Sequence, residues 1–189
     1  MESKRLEGKL IAAEIQTRIE KTVREILTRG ASRPRLVSIQ TSEDPSAVWY
    51  VGQQEKLAAK LGIDFQRISP QEVLTEKALI EKVQSLSADP KVHGLFISMP
   101  LPEGFDADKV LLAMDSRKDV EGIHPASLGL IMLRKGKLIP PTAYAAFSLI
   151  KSTEIMLRGK KAVIIGQSAI VGRPLQLLLG EARVTTLVC

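Results

Sequence analysis

Residues 49–63, WYVGQQEKLAAKLGI, set Tyr50 ahead of a run of polar side chains at the point where a helix leaves a loop. Groups able to donate or accept protons are gathered there, so the run is either a catalytic face or a solvated one. Three other segments hold residue types with chemical uses. SMPLP (98–102) places Ser98 before Pro100, Leu101 and Pro102, whose rigid backbone suits a wall against a flat ligand. DVEGIHP (119–125) brings Glu121 and His124 into one loop. GQSAIVG (166–172) offers a tight turn at Gly166, a hydroxyl at Ser168, close backbone approach at Gly172 and a helix N-terminus whose free N–H groups favour an anion. It departs from G-x-G-x-x-G and by itself reads equally as a nucleotide site or an ordinary glycine-lined turn. The acidic residue expected roughly 20 positions on to hold a ribose hydroxyl has no counterpart in VTTLVC, whereas a 2′-phosphate would prefer a basic partner such as Arg173.

These segments need elements to position them, and the apolar pattern supplies them. Leu10, Ile11, Ile15, Ile19, Val23 and Ile26 recur at helical intervals and predict a surface helix over 8–29, ended by Gly30. RLVSIQT (35–41) reads as a buried strand. Asp44-Pro45-Ser46 opens a helix that Gly62 ends, with Val51, Leu57, Ala58 and Leu61 able to share one side. DFQRIS (64–69) is a short strand, Thr75 to Leu86 a helix, and VHGLFISMP (92–100) a third strand stopped by PLP. From about 115 to 145 the pattern loosens into a Gly- and Pro-rich crossover. A helix near 142–157 follows, then the strand, turn and helix of KKAVIIGQSAIVGRPLQLLLG, and a final strand RVTTLVC. Alternating strands and helices predict an α/β fold: a parallel-sheet lobe over 1–122, a crossover over 123–145 and the start of a Rossmann-like lobe over 146–189. Ligands collect at the C-terminal ends of such strands, where the four segments converge, which predicts a cleft between the lobes.

Composition narrows the partners. The chain has 189 residues, is 44% hydrophobic and carries a net charge of +6. Its basic residues are scattered beside acidic ones and only 4% of residues are aromatic, so a phosphate-bearing small ligand accounts for the surplus better than nucleic acid does. One cysteine, Cys189, and two distant histidines, His93 and His124, exclude a disulfide framework and argue against a metal site. No run is long enough for a membrane span, and MESKRLEGKL lacks the apolar core of a signal peptide, so the expected location is the cytoplasm.

DPSAVWYV, GLFISMPLP, KDVEGIHP, IPPTA and GQSAIVGRP together resemble, in order and spacing, the bifunctional methylenetetrahydrofolate dehydrogenase/methenyltetrahydrofolate cyclohydrolase family. The resemblance runs through the whole chain. It implies a folate-binding N-terminal lobe, an NADP- or NAD-binding lobe and a homodimer. It also implies that Tyr50, Pro100, Leu101, Pro102 and Glu121 line the substrate site and that Thr142, Gly166, Gln167, Ser168, Gly172 and Arg173 meet the cofactor. The family often has arginine where this chain has Gln167. Three positions depart from the catalytic pattern. The family's catalytic lysine, four residues after the tyrosine, is Gln54 here; the glutamine that positions it is Ser98; and the second aspartate of Asp-Val-Asp-Gly, which contacts the pterin ring, is Glu121. Lys56 matches a second family lysine and lies about 200° round the helix from residue 54. A lysine of lowered pKa assists proton transfer when water adds to the methenyl carbon, and a glutamine amide cannot. The expected function is therefore oxidation of 5,10-methylenetetrahydrofolate with a weak or lost cyclohydrolase step. A catalytically degenerate folate-binding or regulatory paralogue is the alternative. Family members continue past VTTLVC, so these residues hold one strand-turn-helix-strand unit of the nucleotide lobe.

Overall fold

The computed structural model describes residues 5–136 and 138–189. The first four residues of MESKRLEGKL and Lys137, within the crossover, lie outside them. The chain divides into two compact units. The first is Ala13–Val120; the second takes Glu121–Cys189 together with the described residues up to Ala12.

In the first unit α1 (Lys9–Thr28) leads into β1 (Arg35–Ile39), α2 (Pro45–Leu61), β2 (Asp64–Ile68), α3 (Glu76–Ala88), β3 (Gly94–Ile97) and α4 (Ala107–Leu112). The sheet is parallel in the order β2-β1-β3. β1 is therefore central, and Val37, Ser38 and Ile39 are all buried, as a strand covered on both faces requires. The crossovers through α2 and α3 run in opposite directions across β1, so right-handed connection puts these helices on opposite faces. Val51, Ala58 and Leu61 seat α2, and Leu79 and Val83 seat α3. Leu57 does not join them; it faces solvent, because it lies a turn-fraction off the stripe spaced 51, 58, 61. Asp44 caps α2 at its start and Gly62, at φ 75°, closes it in the left-handed conformation. Gly94 admits β3 to its neighbour: a Cβ there would lie 2.4 Å from Val120 Cγ1.

The second unit comprises α5 (Pro125–Met132), α6 (Pro141–Lys151), β4 (Lys161–Ile164), α7 (Gly172–Glu181) and β5 (Thr185–Val188). β4 and β5 pair in parallel through the α7 crossover, and Ile164, Leu179 and Val184 form its core with Phe147, Ile150 and Leu175 packed against them.

Several boundaries differ from the expectation, β1 ending at Ile39 rather than 41 among them. The third strand is Gly94–Ile97 rather than 92–100, because Val92 and His93 precede the ladder and Ser98 begins the loop. The helix near 142–157 stops at Lys151, where the hydroxyls of Ser152 and Thr153 donate to the carbonyls of Leu149 and Ile150 and end the helical pattern. The segment 123–145, expected as a Gly- and Pro-rich crossover, contains α5, which no long apolar period marks; it is capped by His124 Nδ1, which accepts from the Ala126 N–H at 3.0 Å. α4, capped by Asp106, was equally unmarked by any long apolar period.

Candidate functional site

Two groups of residues can do chemistry, and each belongs to one unit. In the first unit the C-terminal ends of β1 and β3 are polar. Gln40, Thr41 and Ser98 follow the apolar strands directly and are all buried. The Ser98 N–H donates to Ile39 O at 2.9 Å, and the Thr41 hydroxyl donates to Ser98 O at 2.9 Å, so the two strand ends are tied together beyond the ladder. The loop then turns through a cis Met99–Pro100 peptide. Pro100 is exposed, while Leu101 and Pro102 are half-buried.

The start of α2 stands at the same edge. Asp44 accepts from the Ser46 N–H at 2.8 Å and from the Ser46 hydroxyl, and these bonds hold its carboxyl below the ordinary range. Pro45 follows in the first turn, where its missing N–H costs nothing. This start aims Tyr50 at β3: its ring centroid lies 6.1 Å from that of Phe96 at an interplanar angle of 43°, a tilted aromatic contact. Tyr50 is still 50% exposed, so the ring bridges sheet and solvent. Gln54 stands one turn on, with its Oε1 closed off from solvent. Lys56 is exposed, on the side of α2 turned away from the buried stripe. Tyr50, Gln54, Ser98 and Pro100 to Pro102 thus belong to one unit. Glu121, half-buried, opens the other, two residues after Asp119, which is buried and bridges to Leu95.

The second group is the turn after β4. Gly166 sits at φ 109°, a backbone region that favours glycine, and a Cβ there would meet nothing within 4 Å. Gly172 is the opposite case, since a Cβ would lie 2.0 Å from Gly166 O. Ser168 organises what lies between. Its hydroxyl accepts from the N–H groups of Val171 at 3.1 Å and Gly172 at 3.4 Å, and its carbonyl accepts from Arg173 N–H at 3.1 Å. Leu175 N–H bonds to Val171 O, and Pro174 has no N–H. The start of α7 therefore does not present the free N–H groups that the sequence pattern promised, because Ser168 has taken them. Gln167, Ser168 and Arg173 remain exposed beside it, as does Thr142 in the first turn of α6.

Sequence reasoning missed Ser38 and Gln40. The signal was present: two polar residues interrupt an otherwise apolar central strand, RLVSIQT. His93 has a structural duty, since its Nδ1 accepts from Arg35 N–H at 3.0 Å where β3 meets β1. Among the described residues no cluster of His, Cys, Asp or Glu could hold a metal ion, and no helix is long and apolar enough to cross a membrane.

Comparison with known proteins gives a consistent picture. Residues 6–121 match the family model for the catalytic domain of tetrahydrofolate dehydrogenase/cyclohydrolase, and residues 140–189 match the model for its NAD(P)-binding domain. The chain is 37% identical over 182 residues to the bifunctional protein FolD of Enterococcus faecalis, covering 95% of this chain and 64% of that protein. It is 36% identical to FolD of Chloroflexus aggregans, covering 100% of this chain and 66% of the relative. Among solved structures, the Campylobacter jejuni bifunctional enzyme FolD superposes with a TM-score of 0.91 at 33% identity over 97% of this chain and 65% of that one. The Trypanosoma brucei methylenetetrahydrofolate dehydrogenase-cyclohydrolase, solved with NADP cofactor and inhibitor, gives 0.93 at 26% identity over 100% and 64%. The chain thus spans just under two thirds of the length of these relatives.

Proposed function

Since the chain belongs to the tetrahydrofolate dehydrogenase/cyclohydrolase family, we propose that it serves one-carbon folate metabolism by oxidising 5,10-methylenetetrahydrofolate to the methenyl form, with the hydrolytic step weak or lost. The observation that carries this reading is the residue one turn after Tyr50. Gln54 holds an amide there with its oxygen closed off from solvent, and the neighbouring lysine, Lys56, is exposed on another side of the helix. An amide orients partners but neither takes up nor releases a proton near neutral pH. Hydrolysis needs that transfer, whereas oxidation depends on holding the reacting carbon in place.

In this reading Tyr50, backed by Phe96, supplies an aromatic surface for the flat ring system of a reduced folate. Pro100, Leu101 and Pro102 hold the ring's edge. NADP or NAD, when bound, accepts the hydride. The turn after β4 fits such a group: the open, positive-φ backbone at Gly166 admits close approach, and Gln167, Ser168, Gly172, Arg173 and Thr142 would hold the phosphates and ribose. The reading includes a homodimer working in the cytoplasm.

A second reading, a catalytically degenerate folate-binding protein, is favoured by the loss of both Lys and Gln at positions 54 and 98 and by the internally paired N–H groups of α7. One experiment separates them. The complete polypeptide is titrated calorimetrically with a tetrahydrofolate analogue, then assayed for methenyl formation with NADP and with NAD. Binding with turnover supports the dehydrogenase; binding without turnover supports the second reading; a folded sample that binds no folate at millimolar concentration contradicts both.

A further inference from the structure

Among the described residues, three side-chain oxygens are closed off from solvent with no hydrogen-bond partner: Ser38 Oγ, Gln40 Oε1 and Gln54 Oε1. They share one layer of the fold. Ser38 and Gln40 are two residues apart along the same extended segment, whose pairing continues to Gln40 through its N–H bond to Ile68 O, so both side chains leave the same face of the sheet. Ser38 stands in register with Phe96, whose ring meets Tyr50 of α2. That is the face α2 covers. Gln54 falls on the seam of α2 itself, because Val51, Gln54, Ala58 and Leu61 follow the i, i+3, i+7, i+10 spacing of a buried stripe.

The chemistry of this layer is lopsided. The Gln40 amide N–H2 is drawn away to Ser42 O at 2.5 Å, which leaves Gln40 Oε1 as a fixed acceptor. The Ser38 hydroxyl brings lone pairs and a single O–H, so one donor faces the Gln40 and Gln54 oxygens, and Gln54 adds an oxygen where a further donor is wanted. The two ends of an amide have nearly the same shape, so rotation about the last side-chain bond exchanges them without moving a carbon, and the hydrogen-bond network decides which end lies inside.

We propose that Gln40, with Ser38, is the positioning pair for residue 54: two acceptors that hold a nitrogen donor of that side chain against the sheet. In this chain the donor is the Gln54 amide N–H2, and its oxygen is thereby turned outward beside Tyr50 as an acceptor. The orienting amide at this edge comes from the end of β1, next to the strand that Ser98 follows. A lysine at position 54 would find the same two acceptors waiting. The hydrogen bond stands independently of the function proposed above; its bearing on hydrolysis rests on that reading.

Two measurements on the complete polypeptide test it. In the first, side-chain amide proton exchange is followed by NMR in the unmodified protein, with Gln54 assigned by its disappearance in Gln54→Glu. The Gln54 N–H2 should exchange roughly tenfold or more slowly relative to exposed Gln53, and Gln40→Met should abolish the difference. Equal exchange of Gln53 and Gln54 in the unmodified protein would overturn the proposal without any variant having to fold. In the second, Gln54→Lys should raise methenyltetrahydrofolate hydrolysis by about 10²–10⁴-fold with a rate that follows one titrating group. Adding Gln40→Met should remove most of that gain and displace the pH profile. An unchanged gain and pH profile in Gln54→Lys, Gln40→Met overturns the pairing. Protected Gln54 protons with no hydrolysis from Gln54→Lys uphold the pairing and count against the folate reading instead.

Discussion

Lys56 illustrates how little separates a site residue from a surface one on a helix. Two positions from Gln54, it carries the titrating amine that the proposed site lacks, yet it is exposed on a different side of α2. Lys56→Ala should therefore leave folate binding and both reaction rates within about twofold, since a side chain that touches neither ligand nor reacting atoms lies outside the positioned acid–base network. Loss of hydrolysis in that variant would show that Lys56 reaches the reacting carbon. A second residue-scale expectation concerns pH. The Arg117 guanidinium and backbone N–H bond the Asp115 carboxylate, with Arg117 Nη2 2.6 Å from Oδ2, and hold its pKa down to about 2 from an ordinary 3.8. A carboxylate depressed in the folded state adds stability above its unfolded pKa and loses it as the pH falls through the folded value. Asp115→Asn should thus lower the urea midpoint at pH 6, with the gap to the unmodified protein narrowing as pH drops from 4 toward 2. A gap independent of pH would remove the ion pair from the explanation.

At the scale of elements, the turn from β4 into α7 makes the sharper test, because one side chain there both builds the structure and faces the expected ligand. Ser168 takes up the N–H groups of Val171 and Gly172, while Arg173 is exposed. Ser168→Ala should lower both thermal stability and nucleotide affinity, the former by about 1 kcal/mol for lost hydrogen bonds. Arg173→Ala should weaken nucleotide binding and leave stability within about 0.5 kcal/mol, as surface substitutions do. Unchanged affinity in both would remove this turn from the nucleotide site. The same turn shows where sequence reading stops: its glycines were legible, since Gly166 and Gly172 answer to a positive φ and a close approach, but the consumption of the helix donors by Ser168 depends on a rotamer that no spacing encodes. Long amphipathic elements were equally legible, α2 from Asp44 to Gly62 above all. α5 was not, because its eight residues are too few to show a period and its cap is a histidine rather than Ser, Thr, Asp or Asn. RLVSIQT reads as a buried strand from its sequence, but only the sheet order makes β1 central and Gln40 a buried polar group at its end.

For the molecule as a whole, the units carry different shares of the account. The first holds Tyr50 and Gln54 on α2 and Ser98 just after β3 of a three-stranded parallel sheet; the second holds the glycine turn after β4 of a two-stranded one. The function proposed above keeps the reaction that needs positioning and leaves the one that needs a proton carrier weak or lost. The most direct measurement follows both in one vessel: the complete polypeptide is given 5,10-methylenetetrahydrofolate and NADP or NAD, and methenyltetrahydrofolate is followed through its formation and its decay. The account predicts catalysed formation, with the methenyl product accumulating and then decaying within about twofold of its rate in buffer, since positioned acid–base catalysis is absent. Methenyl decay accelerated about a hundredfold or more by the unmodified protein would contradict it, because the proposed site offers the amide of Gln54, which carries no proton to and fro near neutral pH, where such acceleration needs a general acid–base group.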